Sequence, residues 1–253
     1  MCAAEKSPST REDRYRPVLA NQSRGSTLQS IYQSVYGADH PAEAEPFGFV
    51  TVTDLRLLTT MLAQSGATHL LDVGCGRGGP GLWIARELNV PLVGVDIVAE
   101  AVVAAAARAA DFGMSSRARF YVASATDTGL PAGGFDGVVS IDALWMVHDK
   151  LAAFGELARV LRPGGQLVFT AWEAARLPYA GFLQHAGFTG ITKQEIPGSR
   201  EREIAVHEAI LRHREAITQE LGNEAADVLA AEAAHTPALL NENPRVIISA
   251  VRR

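Results

Sequence analysis

The residue types most able to do chemistry cluster around a glycine-rich segment near position 75. The stretch LLDVGCGRGGPG, residues 70–81, places Asp72 two positions before the pattern Gly74-x-Gly76-x-x-Gly79. Glycines permit a tight turn and let a ligand approach the backbone closely. The Asp72 carboxylate would repel a pyrophosphate group and attract an ammonium or sulfonium group. The segment therefore predicts a bound ligand that carries positive charge.

A second carboxylate, Asp96, ends the next apolar segment, 22 positions beyond Gly74. A carboxylate at this place can accept hydrogen bonds from both ribose hydroxyls of a nucleoside ligand. The loop has no lysine of the kind that binds a nucleoside triphosphate. These features indicate a ligand with a ribose and a cationic arm, and S-adenosylmethionine fits that description. A nicotinamide dinucleotide, which the same glycine pattern can bind, is disfavoured by Asp72.

Short apolar segments alternate with helix-like segments from residue 69 onward. The predicted strands are 69–73, 91–96, 118–123, 135–141 and 165–172, with helices near 80–89, 98–112 and 148–161 between them. A helix at 179–187, a strand at 189–196, one or two helices within 200–235 and a last strand at 245–253 follow. The alternation predicts an α/β fold, a doubly wound and mostly parallel sheet with helices on both faces.

Four segments in order, LLDVGCGRGGPG, LVGVDI, GLPAGGFDGVVSIDAL and ELARVLRPGGQLVF, resemble the successive motifs of class I S-adenosylmethionine-dependent methyltransferases. The likeness covers roughly residues 65–175. More loosely, GRGGPGLWIA and the long helical tail look like small-molecule methyltransferases of bacterial secondary metabolism. The resemblance implies a seven-stranded Rossmann-like sheet whose last strand is antiparallel.

The resemblance also implies a function and a domain organisation. The cofactor would be S-adenosyl-L-methionine, and the reaction would be methyl transfer to a small-molecule metabolite, such as a natural-product intermediate. The alternative is a methyltransferase-like protein that binds this cofactor and catalyses a non-methylating reaction such as cyclisation. Residues 1–25 are expected to be a polar, partly disordered tail and residues 26–253 a single methyltransferase domain. That domain would comprise a helical cap (26–65), a cofactor-binding core (66–175) and a helical lid (200–235).

Carried over residue by residue, the family motifs assign a cofactor site. Asp72, Gly74 and Gly76 would hold the methionine end, Asp96 would hold the ribose, and Ile97 would pack on the adenine. The other cofactor-binding candidates are Cys75 and Gly78 in the loop, Ser124 and Ala125 after the third strand, and Asp142 after the fourth. Alignment on GLP puts Ser124 at the adenine position, whereas a shorter loop would put Asp127 there.

The candidate catalytic residues are His148, in WMVHDK after the fourth strand, and Glu173, after the fifth. His148 could act as a general base or lie on the surface, and Glu173 could enter the pocket or be a solvated carboxylate. The candidate substrate-binding residues are Tyr32, Tyr36, Trp145, Met146 and Trp172. They predict a small, partly apolar acceptor, although the helical spacing of the two tyrosines equally suits core packing.

Composition narrows the class of protein further. The chain has 253 residues, 47% of them hydrophobic, and a formal net charge of −5. These values suit one buried α/β domain and disfavour a nucleic-acid partner. The two cysteines, the polar start and the lack of a long apolar run predict a cytoplasmic protein without a membrane span. His207 and His213 share no close helix face, so no metal is expected.

Overall fold

The computed structural model of this chain describes residues 14–176 and 178–253. Within these residues, one sheet is formed by β1 Leu70–Val73, β2 Leu92–Asp96, β3 Ala118–Val122, β4 Phe135–Ile141, β5 Leu161–Trp172, β6 Phe188–Glu195 and β7 Arg245–Arg252. The strand order is β3-β2-β1-β4-β5-β7-β6. Strand β7 runs antiparallel to β5 and β6, whereas the first five strands pair in parallel. The predicted fold, including its antiparallel last strand, is confirmed.

Helices surround the sheet in three groups. Their bounds are α1 Arg16–Asn21, α2 Thr27–Tyr36, α3 Val52–Gln64, α4 Gly79–Leu88, α5 Ala99–Arg108, α6 Lys150–Val160, α7 Tyr179–His185, α8 Ser199–Arg212, α9 Arg214–Leu221 and α10 Asn223–Leu239. Apolar side chains of α6 and α7 join one core cluster with the sheet, and those of α3 and α4 join a second. Helices α1, α2 and α8–α10 share a third cluster. We call this third layer of helices the cover.

The starting points of two helices that flank the sheet are explained by local sequence signals. Helix α3 begins with a capping box, in which the Thr51 side chain accepts from the Asp54 backbone and the Asp54 side chain accepts from the Thr51 backbone. Helix α4 carries Pro80 in its first turn, where a proline sacrifices no intrahelical hydrogen bond. Both signals are readable in the sequence, and α4 begins within two residues of the predicted start at residue 80.

The described part of the predicted polar tail, residues 1–25, contains helix. Residues 1–13 lie outside the described residues, whereas residues 14–24 are helical. The Val18 side chain of α1 is fully buried, and Tyr15 is 4% exposed. Because these apolar side chains pack against the third core cluster, tertiary burial outweighs the polar composition of the segment.

Two other bounds differ from those predicted. Strand β5 begins at residue 161 rather than 165, directly after α6, and its first residues pair with the start of β4. The segment between β6 and β7 forms three helices up to residue 239 rather than one or two within 200–235. Among the described residues, no helix combines the length and the apolar character needed to cross a membrane.

Candidate functional site

A cavity lies at the carboxyl ends of β1, β2 and β4, where parallel α/β sheets bind their ligands. We call its first part the glycine-loop end, formed by residues 72–77, 79 and 80 together with Asp96 and Ile97. Its second part, the aromatic end, is lined by Tyr32, Phe49, Trp145, Met146, Trp172 and His207. Residues of α1, α2, α8 and α10 line the side opposite the sheet. The third helical layer therefore covers the cavity.

The turn after β1 is shaped by a glycine that no other residue could replace without strain. Gly74 has a φ of +71°, and a Cβ atom there would lie 2.3 Å from the Cβ of Ala143. The next turn of the loop is held by Asp96 at the end of β2. Its carboxylate accepts hydrogen bonds from Gly76 N at 2.8 Å and Val98 N at 2.9 Å. Asp96 thus fixes the loop in addition to lining the cavity.

Asp72, in β1, has a buried carboxyl group, and no partner among the described residues offsets the cost of burying it. It is 2% exposed, and its Oδ1 atom has no hydrogen-bond partner among the described residues. Burial, reinforced by the charge of Asp96, raises the pKa of Asp72 to about 8. Helix α4 approaches this carboxyl closely, since a Cβ on Gly81 would lie 2.2 Å from Asp72 Oδ2. A buried, unpaired carboxyl beside a glycine cradle fits a cationic ligand group.

Asp142, predicted to face the cofactor, has a different set of partners. It lines the cavity in a left-handed conformation with a φ of +53°. Its carboxylate forms a bidentate ion pair with the fully buried Arg245, at 2.9 and 3.0 Å. The same carboxylate accepts from Phe49 N and the Thr170 hydroxyl. Because its carboxylate already accepts four hydrogen bonds, the Asp142 side chain connects the segments that form the floor of the cavity.

Most of the other predicted cofactor-binding residues reach the cavity. Cys75, Ile97 and Ala125 line it, but Ser124 and Gly78 are absent from its lining. The Ser124 hydroxyl lies 2.9 Å from that of Thr126, and Gly78 is the residue that precedes α4. Burial raises the pKa of the Cys75 thiol well above its usual value, which agrees with its interpretation as a small loop residue rather than a nucleophile.

Neither of the two predicted catalytic residues lines this cavity. His148 is exposed and does not line it. Glu173 is buried, but its carboxylate accepts from Tyr179 N at 2.7 Å and pairs with Lys193 at 2.7 Å. The chain leaves β5 toward α7 and β6 at this point, so the side chain turns to that side of the sheet.

Four of the five predicted substrate-binding residues line the aromatic end: Tyr32, Trp145, Met146 and Trp172. Tyr36 does not, and its ring stacks beside that of Tyr32 with 6.1 Å between centroids. The two tryptophan rings meet edge to face at 5.4 Å. Their indole N–H groups are occupied, because Trp145 donates to the Asp142 carbonyl and Trp172 donates to the Glu203 carboxylate.

The sequence reasoning missed His207 as a residue of this cavity. It lies on α8, is 1% exposed, and neither ring nitrogen has a hydrogen-bond partner among the described residues. Burial lowers its pKa to about 4. The available signal was helical periodicity, since His207 falls four residues after Glu203 and three before Ile210, on the buried face of α8. In the described part of the chain, no three potential metal ligands cluster.

Comparison with known proteins agrees with this geometry. The family described as "Methyltransferase domain" matches residues 71–169, which span β1 to most of β5. The "O-methyltransferase resE" of Aspergillus sclerotiorum is 30% identical over 129 residues, 51% of this chain and 49% of that protein. The "27-O-demethylrifamycin SV methyltransferase" of Amycolatopsis mediterranei is 34% identical over 110 residues, 44% of this chain and 40% of that protein.

The likeness to solved structures extends over the whole fold. The "[4+2]-Cyclase SpnF" superposes with a TM-score of 0.72 and 23% identity, covering 100% of this chain and 99% of that one. The chain spans about half the length, or less, of the curated relatives that it matches.

Residues 71–169 of this chain match the methyltransferase domain family, and the relatives and the fold support a class I S-adenosylmethionine-dependent methyltransferase. The cofactor of that family is S-adenosylmethionine. The buried Asp72 carboxyl, the glycine turn and Asp96 of this chain fit the ammonium, sulfonium and ribose groups that this cofactor carries.

Proposed function

We propose that this protein transfers a methyl group from S-adenosylmethionine to a small, largely apolar acceptor, such as a natural-product intermediate. The observation that carries the proposal is one continuous cavity with two unlike ends. An acidic glycine cradle forms one end, and a chamber of aromatic side chains forms the other. A cofactor held at the first end would present its reactive group toward an acceptor held at the second.

The glycine-loop end supplies the groups that a cationic nucleoside needs. Asp72 would hold the positive methionine arm, Asp96 the ribose, and Ile97 would pack against the adenine, beside Ala125. When bound, S-adenosylmethionine supplies an already electrophilic methyl group, so this chain's residues need only position the acceptor. Positioning of this kind can supply roughly 7–11 kcal/mol of a reaction barrier.

The aromatic end indicates the acceptor class. Among the described residues that line the cavity, Arg77 is the one lysine or arginine, and it belongs to the glycine loop. A phosphorylated acceptor would lack the cationic partners that its charge requires once buried. The Tyr32, Trp145 and Trp172 side chains favour an uncharged acceptor with rings or conjugated bonds. The cover of α1, α2, α8 and α10 would exclude water during the transfer.

The test uses the purified full chain and S-adenosylmethionine labelled in its methyl group. We expect calorimetry to detect binding of S-adenosylhomocysteine, and label to pass to uncharged aromatic acceptors but not to phosphoethanolamine. Binding of NAD in place of S-adenosylmethionine would overturn the proposal. Cofactor binding with conversion of the acceptor, but without release of S-adenosylhomocysteine, would instead support the non-methylating alternative.

A further inference from the structure

Among the described residues of the aromatic end, His207 is the side chain whose buried polar atoms have no hydrogen-bond partner. The Trp145 and Trp172 indoles already donate to protein oxygens, and the Tyr32 hydroxyl contacts the Gly48 backbone. His207 is left with both ring nitrogens unpaired among the described residues, although it is 1% exposed. A buried polar group without a partner costs about 1–3 kcal/mol. An unpaired imidazole in a cavity wall therefore points to a partner that arrives with the ligand.

The imidazole is held firmly in that wall. Its ring lies 5.4 Å from the Phe49 ring, centroid to centroid, and Phe49 in turn meets Trp172 edge to face at 5.6 Å. His207 is carried by α8, whose Val206 and Ile210 side chains are buried in the third core cluster. The ring is thus placed by packing rather than by a hydrogen bond, so its nitrogens remain available to an acceptor.

The charged groups around His207 leave it neutral. Glu203, one turn earlier on α8, accepts from Trp172 through Oε2, whereas its Oε1 has no hydrogen-bond partner among the described residues, and burial raises its pKa to about 7. The Asp142 carboxylate is paired with Arg245. Glu232 of α10, the carboxyl of the cover that lines the cavity among the described residues, interacts with Tyr15. Because burial lowers the pKa of His207 to about 4, its ring offers one hydrogen-bond acceptor and one donor near neutral pH.

We propose that the acceptor atom is the hydroxyl oxygen of an apolar, ring-bearing alcohol or phenol, and that His207 accepts the proton which this hydroxyl loses. The inference rests on the proposed methyl transfer and specifies its acceptor. The methyl group leaves sulfur for the hydroxyl oxygen, and the electrons of the broken sulfur–carbon bond remain on sulfur. The hydroxyl proton moves to His207, so the positive charge passes from sulfur to the imidazole and the net charge of the cavity is unchanged.

A weakly basic imidazole suffices for this role. As the oxygen–methyl bond forms, the hydroxyl becomes a far stronger acid than the free alcohol, so even a base of low pKa can take its proton. An amine acceptor is disfavoured, because near neutral pH an alkylamine is an ammonium ion. Of the described carboxyls near His207, Asp142 is paired with Arg245, Glu232 interacts with Tyr15, and Glu203 lies outside the cavity lining, so none of them is placed to pair with that charge.

The experiment compares 2-naphthol, the alkylamine 2-naphthylmethylamine and naphthalene, which share one ring system. With saturating S-adenosylhomocysteine, fluorescence titration should show the wild-type protein binding 2-naphthol about five- to tenfold more tightly than naphthalene, as one net hydrogen bond allows. In His207→Phe, which keeps a ring in the wall, we expect this preference to vanish while the affinity for naphthalene is retained. Equal binding of the two probes by the wild type, or no binding of 2-naphthol, would overturn the inference.

Turnover provides the second readout. We expect transfer to 2-naphthol in the wild type, and a kcat about 10²–10⁴-fold lower in His207→Phe with unchanged affinity for S-adenosylhomocysteine. His207→Gln should restore the binding preference for 2-naphthol but not kcat, because an amide accepts a hydrogen bond and not a proton. His235→Gln, at an exposed position on α10, is the matched control and should leave both readouts unchanged.

The outcomes separate the two proposals. Transfer to 2-naphthylmethylamine or to a ring carbon in preference to 2-naphthol, or full turnover in His207→Phe, would refute the role of His207 and leave methyl transfer standing. Failure of the wild-type protein to bind S-adenosylhomocysteine would refute methyl transfer itself.

Discussion

The two ends of the cavity are built in opposite ways. The glycine-loop end comes from two consecutive strand–loop units, with Asp72 after the start of β1 and Asp96 at the end of β2. The aromatic end is assembled from α2, the segment before α3, the loop after β4, the end of β5 and α8, which are far apart in the sequence. The first end is therefore a local motif, and the second depends on how the cover packs on the sheet.

A buried network of ion pairs connects the sheet to the segments that form the aromatic end. Arg245, at the start of β7, binds Asp142 from the loop after β4 and Asp54 from the first turn of α3. Asp142 also accepts from the backbone of Phe49, which belongs to the aromatic end. Substitutions in this ion-pair network should therefore disturb the aromatic end most, whereas substitutions of Asp72 or Asp96 should weaken cofactor binding.

The largest expected effect is that of Arg245→Met. Removing this fully buried cation leaves Asp142 and Asp54 unpaired, which should lower the free energy of unfolding by about 3–5 kcal/mol. Urea unfolding followed by fluorescence measures it. Arg252→Met, at the other end of β7, is the control and should stay within about 0.5 kcal/mol of the wild type. Equal losses of unfolding free energy in the two variants would show that the network does not specifically stabilise the fold.

At the glycine-loop end, Asp96→Ala should weaken binding of S-adenosylhomocysteine about ten- to hundredfold. The change removes both the predicted ribose contact and the acceptor for Gly76 N and Val98 N, and hydrogen bonds to charged groups contribute about 1.5–3 kcal/mol each. Calorimetry measures the affinity, with the exposed Asp111→Ala as control. An unchanged affinity would mean that the ribose lies elsewhere.

The sequence predicted the two ends unequally, and the reason is physical. Glycines, Asp72 and Asp96 act through short-range backbone geometry and charge, which their spacing records. His207 acts through burial against Phe49, which lies 158 residues earlier in the sequence. Residue 148 has the chemistry of a general base but is exposed. Only tertiary packing distinguishes these two histidines, as it also makes a helix of residues 16–21 despite their polar neighbours.

Cofactor binding at the glycine-loop end should depend on pH, because burial raises the pKa of Asp72 from its ordinary value of 3.8 to about 8 in the folded protein. Its contribution to stability is therefore present at acidic pH and lost as pH rises from about 4 to 8. A cationic cofactor prefers the ionised form, so its affinity should rise, by at most tenfold per pH unit, between about pH 5.5 and 7.5. Above that range, an amino group of ordinary pKa, about 7.7–8.0, begins to lose its own charge.

The matched variant for this prediction is Asp72→Asn. At pH 7.5 it should bind S-adenosylmethionine about tenfold more weakly, with no pH slope, while being at least as stable as the wild type, because no buried charge remains. Calorimetry across this pH range and urea unfolding give the two measurements. A slope that persists in Asp72→Asn would assign the titration to another group.

The smallest expected effect is that of His148→Ala, which tests whether the reacting part of the aromatic end extends as far as His148. Since His148 is exposed and outside the cavity lining, turnover with 2-naphthol and affinity for S-adenosylhomocysteine should both stay within about twofold of the wild type, as for surface substitutions generally. The same assay on His207→Phe provides the contrast between two histidines of one chain. If His148→Ala lowered turnover tenfold while His207→Phe did not, the acceptor would lie near the start of α6, and the sequence-based choice of base would be the correct one.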